Sequence, residues 1–295
     1  MRIAVTGATG FVGHHVVAHL IGSGHEVTTL GRRPSRHEAA GFAPFDLDGP
    51  APDLRGHEVL VHAALSHVPG RYRGGEGDAP EAFLRRNLDG TIRLFGAARD
   101  HGVARIVLLS SRAVYGDYPP GTILHEGLAP RPDTLYGQVK LRAEEELLRL
   151  ASAGMAVASL RATGVFGPPV PGLEHKWARL FDDYFGGRPV TPRVASEVHS
   201  ADLAEAVRLV AVAPPDAVEP ALFNVTDLVL DRRDLLAAVS TLSGVQTPLP
   251  PRSDPGLVSV MTTDRLRRLG WTPSGARRLR DVLAGMVSGA RPRPA

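Results

Sequence analysis

The chain has 295 residues, with 34 basic and 31 acidic side chains for a net charge of +3, and no cysteine. Missing thiols exclude disulfides, thiolate nucleophiles and cysteine metal sites, while scattered arginines and an aromatic content of 5% argue against nucleic-acid binding. No apolar run approaches the about 18 residues of a membrane span and no charged leader precedes one, so the expected class is a cytoplasmic enzyme or binding protein.

In chain order, "RIAVTG" (2–7) predicts a short buried strand, and "FVGHHVVAHLIGSG" (11–24) a helix that stops on glycines. "EVTTLG" (26–31), "EVLVHAAL" (58–65) and "RIVLLSS" (105–111) predict three more strands, with helical spacing over 80–102 between the last two. "KLRAEEELLRLASAG" (140–154) predicts a helix and "AVASLRAT" (156–163) the next strand. Strands alternating with helices imply an α/β fold with a doubly wound parallel sheet. After Gly167 the composition turns Pro/Gly-rich, and the remainder reads as short helices and loops, closing with "RLRRLGWTPS", "LRDVLAGMV" and a frayed tail "ARPRPA". "GRYRGGEG" (70–77) predicts a mobile surface loop, and no internal repeat is present.

"AVTGATGFVGHH" sets Gly7, Gly10 and Gly13 between a strand and a helix. Glycine lets the backbone turn sharply and approach a pyrophosphate, while the helix start offers free N–H groups and a positive dipole end. The context is that of a dinucleotide-binding turn, with Gly7, Thr9, Gly10, Phe11, Val12 and Gly13 as candidate cofactor contacts. Where a ribose 2′-hydroxyl usually meets an acid, after the second strand, this chain carries Arg32 and Arg33. Two guanidiniums can clamp a 2′-phosphate, which favours NADP(H) over NAD(H). In "FDLDG", Asp46 either accepts from an adenine amino group, with Leu47 packed on the ring, or forms a loop turn.

The pieces "TGATGFVG", "VHAA", "NLDGT", "SSRAVYG", "YGQVK", "RATGVFGP", "VHSADLAEA", "FNVTD" and "LGWTP" occur in one order along nearly the whole chain. In that set the chain resembles the extended short-chain dehydrogenase/reductase family, of the NAD(P)-dependent epimerase/dehydratase type. The resemblance implies a Rossmann-type domain over 1–166. It implies a substrate-binding lobe mainly over 167–295, with segments returning to the first domain. It adds Ala63, Ala64 and Asn87 to the cofactor contacts, and implies a homodimer packed through helices such as 81–101 and 136–153.

The resemblance also places the catalytic serine at Ser111 and the catalytic Tyr and Lys at Tyr136 and Lys140. The residue chemistry agrees. Tyr136 and Lys140 stand one helical turn apart and share a face. Free tyrosine titrates near pH 10, and a neighbouring ammonium favours its phenolate, which suits proton exchange with a substrate hydroxyl or carbonyl. Ser111 would polarise the same oxygen, and hydride would pass between substrate and cofactor. Lys140 is one of only two lysines, the other being Lys176. Its flexible ammonium also suits a ribose, for which planar arginine is a poor substitute.

Several positions depart from relatives acting on nucleotide-diphosphate sugars. "RATGVFGP" has Gly164 where they resemble "R-x-x-N-x-Y-G-P". Ala195 stands four residues before His199, where they carry a diphosphate-binding Arg, and Arg193 is out of register. These departures weaken a nucleotide-sugar reading. Arg112 and Ala113 follow Ser111 in place of acidic residues, so dehydration is not expected. Arg112 either meets an anionic substrate or faces solvent, and His67 is either a substrate contact or an ordinary loop histidine. His15 and His19 stand at i,i+4 without a third ligand, so no metal site is expected. Trp177 and Trp271 are expected to pack. The first expectation is an NADP(H)-preferring oxidoreductase acting on a carbonyl or hydroxyl carbon of a small, sugar-like substrate. The alternatives are a nucleotide-sugar epimerase with tightly held NAD(P), and a cofactor-binding regulator without turnover.

Overall fold

The computed structural model describes residues 1–68 and 75–289. Residues 70–74 of the expected surface loop and the tail 290–295 therefore lie outside the described residues.

The elements run β1 (Arg2–Thr6), α1 (Phe11–Gly22), β2 (Glu26–Gly31), β3 (Gly41–Pro44), β4 (Val59–His62), α2 (Pro80–Leu84), a π-helical turn (Arg85–Asp89) and α3 (Gly90–Asp100). Next come β5 (Arg105–Ser111), a 3₁₀ turn (Arg112–Val114), α4 (Leu135–Ser152), β6 (Ala156–Ala162) and β7 (Gly164–Phe166). They are followed by α5 (Ala178–Phe185), β8 (Val194–His199), α6 (Ser200–Val212), β9 (Leu222–Val225) and β10 (Leu228–Asp231). The last helices are α7 (Arg232–Ser243), α8 (Asp264–Arg268) and α9 (Ala276–Gly289).

Seven strands form one parallel sheet in the order β3-β2-β1-β4-β5-β6-β9. The chain therefore leaves β1 in opposite directions across the sheet, and the switch lies between β1 and β4. Ligands of such sheets bind beyond the carboxyl ends of the strands at that switch. The ends here are Thr6, His62, Ser111 and Ala162, with Thr6 opposite His62 and Ser111 opposite Ala162.

The central strands are buried nearly throughout, because helices cover both faces. On one face Val16, Val17 and Leu20 of α1 and Leu203, Val207 and Val210 of α6 join Ile3, Val5, Val59 and Val107. On the other, Leu94 and Phe95 of α3 and Ala143 and Leu147 of α4 pack on Ala4, Leu60, Ile106 and Leu108. A second sheet, β10-β8-β7, carries the smaller lobe, whose core gathers Phe166, Trp177, Phe181, Tyr184, Leu236, Leu283 and Met286. Trp271 packs in the first core and donates from Nε1 to Asp202 O at 2.8 Å.

The expected helix over 80–102 is broken by the π-helical turn. That wider turn carries the buried Asn87, and Gly90 beyond it lies against Leu47, where a Cβ would stand 3.0 Å from Leu47 Cβ. Past Gly167 the expected helices and loops also include strands β8, β9 and β10, all only four to six residues long. Buried Ser196 and Glu197 in β8 interrupt the apolar pattern that would have announced it.

Candidate active site

The turn after β1 has the form a dinucleotide requires. Gly7 adopts φ +74°, and a Cβ there would lie 2.7 Å from Ala63 C and from Ala64 N. A side chain at Gly13 would overlap Gly7 O. Gly10 caps α1 without a side-chain hydrogen bond, and the first turn carries no acid. By contrast, Thr134, His199 and Asp231 use their side chains to cap α4, α6 and α7. The α1 N–H groups are left for an anion, as a pyrophosphate would need. Thr9 and Gly10 are exposed, with Phe11 and Val12 half-buried beside them.

Behind this turn runs a buried hydrogen-bond chain that the motifs do not announce. Thr91 Oγ1 donates to Asn87 O at 2.6 Å, so its oxygen accepts from His62 Nε2 at 2.8 Å. His62 Nδ1 then accepts from Thr6 Oγ1 at 2.8 Å, and Thr6 Oγ1 accepts from Ala63 N and Ala64 N, both at 3.1 Å. The chain holds the loop beyond β4 against Gly7. Its signal in the sequence is a histidine closing an otherwise apolar strand. Asn87 serves the same loop, accepting from Ser66 N at 2.7 Å and donating to Ser66 O and Phe83 O at 2.9 Å.

Burial, reinforced by the charge of Lys140, lowers His62 to about 3 from its ordinary 6.5. Between those values the unfolded chain binds a proton that the folded chain does not. Stability is therefore expected to fall as pH drops from about 6.5 towards about 3, by about 1.4 kcal/mol per pH unit for each such histidine. His14, lowered to about 4 mainly by burial, adds to the same trend. Urea midpoints at about pH 7 and about pH 5 measure the effect, and His62→Gln is expected to remove one proton's worth of the difference. An unchanged difference would assign the acid loss to other groups.

The catalytic candidates lie at the end of β5 and the start of α4. Thr134 Oγ1 accepts from Gly137 N at 3.1 Å and so fixes the start of α4, which carries Tyr136 and Lys140. Lys140 is buried and donates from Nζ to Leu109 O at 2.7 Å. Burial pulls it down to about 8, against the opposing charge of Glu144, so the ammonium persists at neutral pH. Ser111 ends β5, and its Oγ accepts from Ala113 N at 3.1 Å. A Cβ at Gly137 would stand 2.5 Å from Ala113 O, so only glycine lets the turn after Ser111 rest on the helix start that holds Tyr136. Tyr136 itself is half-buried. The nearby Tyr115 is fully buried and donates to Asn224 Oδ1 at 2.8 Å, in a packing role.

At the adenosine end, Arg32 and Arg33 are exposed just past β2, and Arg32 Nε lies 3.8 Å from Asp46 Oδ2. Asp46 Oδ1 accepts from Asp48 N at 3.0 Å, which closes a local turn. Leu47 is buried in the core, and its carbonyl accepts from Arg93 Nη2 at 2.6 Å.

On the opposite side, Arg112 Nη2 donates to Ser259 O at 3.1 Å, tying the turn after Ser111 to the C-terminal region. His67 is half-buried, with Nδ1 3.3 Å from Leu65 O in its own loop. His15 reaches Pro168 O at 3.2 Å, while His19 pairs with Glu205 at 2.7 Å, so the two serve different contacts. Gly164 lies against Lys176 and Glu197, an approach that was not legible from either motif.

Residues 3–226 match the family model described as the NAD dependent epimerase/dehydratase family. The chain belongs to that family. It is an NAD(P)-dependent enzyme of the extended short-chain dehydrogenase/reductase type. The chain is 31% identical to dTDP-6-deoxy-L-talose 4-dehydrogenase (NAD(P)(+)) of Kitasatospora kifunensis, over 92% of this chain and 91% of that protein. It is 29% identical to UDP-glucose 4-epimerase of Streptomyces lividans, over 93% and 92% of the two chains. Among solved structures, UDP-glucose 4-epimerase of Thermus thermophilus in complex with NAD superposes with a TM-score of 0.78 at 27% identity, covering 99% of this chain and 100% of that one. MoeE5 in complex with UDP-glucose and NAD gives a TM-score of 0.76 at 27% identity, covering 98% of each chain.

Proposed function

We propose that the protein reversibly oxidises a hydroxyl-bearing carbon of a nucleotide-diphosphate sugar and acts as an epimerase. The observation that carries the chemistry is the buried Lys140, fixed on Leu109 O one helical turn from Tyr136, with the Ser111 turn seated on Gly137. Bound NAD(P) supplies the hydride acceptor and donor. As the phenolate, which the Lys140 ammonium favours, Tyr136 takes the proton from the substrate hydroxyl to become the neutral phenol, and it returns that proton when hydride comes back. Ser111 holds the same oxygen. Gly7, Gly10 and the open α1 N-terminus hold the pyrophosphate.

The substrate class rests on the relatives, two of which are full-length matches acting on dTDP- or UDP-sugars by name. It replaces the smaller sugar-like substrate expected from the residues alone. Dehydration is not part of the proposal, because Arg112 and Ala113 follow Ser111.

A second reading, net dehydrogenation with NADP(H), is favoured by the exposed Arg32 and Arg33 at the end of β2. One experiment separates the two. The purified, dialysed protein is incubated with UDP-glucose, and released NAD(P)H, retained cofactor and sugar products are measured. Retained cofactor with UDP-galactose formed and no net NAD(P)H supports the epimerase. Exchangeable cofactor with accumulating NADPH supports the dehydrogenase. No conversion of UDP-glucose, UDP-galactose or dTDP-glucose would overturn the substrate class.

A further inference from the structure

Lys176 has no part in the catalytic turn. It stands in the Pro/Gly-rich loop between β7 and α5, and its ammonium pairs with the carboxylate of Glu197 on β8. The Glu197 side chain is 7% exposed and that of Lys176 28%, so the carboxylate is enclosed while the ammonium keeps a way out. Both groups rest on the backbone of Gly164, the register partner of Glu197. A Cβ at Gly164 would overlap Lys176 Nζ and stand 3.0 Å from Glu197 Cδ.

The position of this pair gives it meaning. Gly164 lies two residues past Ala162, and Ala162 is the sheet partner of Ser111. Gly164 thus follows the carboxyl end of β6, the strand beside Ser111, where it opens the second sheet, and ligands of such folds bind beyond the carboxyl ends of the strands. A lysine ammonium carries three donors, and one carboxylate oxygen occupies one of them. The ion pair also fixes a long side chain before any ligand arrives, which removes an ordering cost from binding.

We propose that Lys176 is the residue through which this chain contacts the diphosphate of its substrate, with Glu197 as the counter-ion that aims it across Gly164. The proposal rests on the nucleotide-sugar reading above. It makes Gly164 a requirement of the site, since any side chain there displaces the ammonium.

The test is calorimetric titration of UDP into the NAD-loaded protein, with NAD titration of the same samples as control. Lys176→Met leaves Glu197 buried and unpaired, so Lys176→Met/Glu197→Gln, which removes both charges together, is measured beside it. UDP affinity is expected to drop about tenfold or more in both variants, with NAD affinity unchanged. If the single variant fails to fold, the double variant decides. Wild-type UDP affinity in the folded variants overturns the assignment of Lys176 and leaves the nucleotide-sugar reading intact. An equal fall in UDP and NAD affinity assigns the pair to structure alone and likewise overturns it. A wild-type protein that binds no UDP overturns both.

Discussion

Tyr136→Phe is expected to lower kcat by about 10²- to 10⁴-fold while leaving cofactor affinity within a few-fold of wild type. The substitution removes one oxygen and keeps the ring on the first turn of α4. Thr134 still caps that helix through Gly137 N, and Lys140 still donates to Leu109 O, so the features that position the cofactor persist. What is lost is the group proposed to exchange a proton with the substrate hydroxyl. Turnover of UDP-glucose and fluorescence titration of NAD(P)H measure the two quantities separately. A fully active variant would move the acid–base role away from Tyr136, and a parallel loss of cofactor affinity would make the tyrosine a structural residue.

The largest expected stability effect lies about two turns further along the same helix. Glu144 accepts from Arg161 Nη2 at 2.7 Å and Nε at 3.1 Å, and from Ser159 Oγ at 2.9 Å. Their side chains are 1% and 2% exposed. The pairing holds Arg161 above its ordinary range despite burial, and its guanidinium also stacks over Tyr115 at 4.9 Å. Glu144→Ala leaves that cation uncompensated in the interior, which costs about 3–5 kcal/mol. Exposed pairs such as Arg55–Asp53, by contrast, are screened by water and contribute little. Urea unfolding measures the loss, and replacing both partners with Glu144→Leu/Arg161→Met is expected to recover much of it. A loss below about 1 kcal/mol for Glu144→Ala would place the pair with the surface bridges.

The two variants bear on one helix. Tyr136 and Lys140 stand at its start, where Lys140 donates to Leu109 O near the end of β5, and Glu144 locks the following turn to β6 through Arg161. The helix is held by a buried ion pair directly behind its working residues, which limits the freedom of Tyr136 relative to Ser111.

The parallel core was legible because its strands are nearly continuous apolar runs and its helices carry regular apolar spacing. The glycine turn was legible because Gly7, Gly10 and Gly13 stand in a short, local pattern whose neighbours in sequence are its neighbours in space. Tyr136 and Lys140 were legible for the same reason, one turn apart on one helix. Strand β3, only Gly41–Pro44, was not, since it has too few residues to show a period. The π-helical turn was also hidden, because the partners around it, Leu47 against Gly90 and Ser66 against Asn87, lie far away in the chain.

By itself, then, the sequence determined the fold class, the glycine turn between β1 and α1 and the spacing of Tyr136 and Lys140, all of which are written in local patterns of residues. The tertiary structure decided what long-range contacts control. It joined Thr6, His62 and Thr91 into one buried chain, paired Glu144 with Arg161, and set Lys176 and Glu197 against Gly164. Those partners lie apart along the chain, and only the crossing of β-strands and the return of the C-terminal lobe bring them within hydrogen-bonding distance. Read along the chain, Gly164 is an amide lost. In the folded protein it is the space that an ion pair requires.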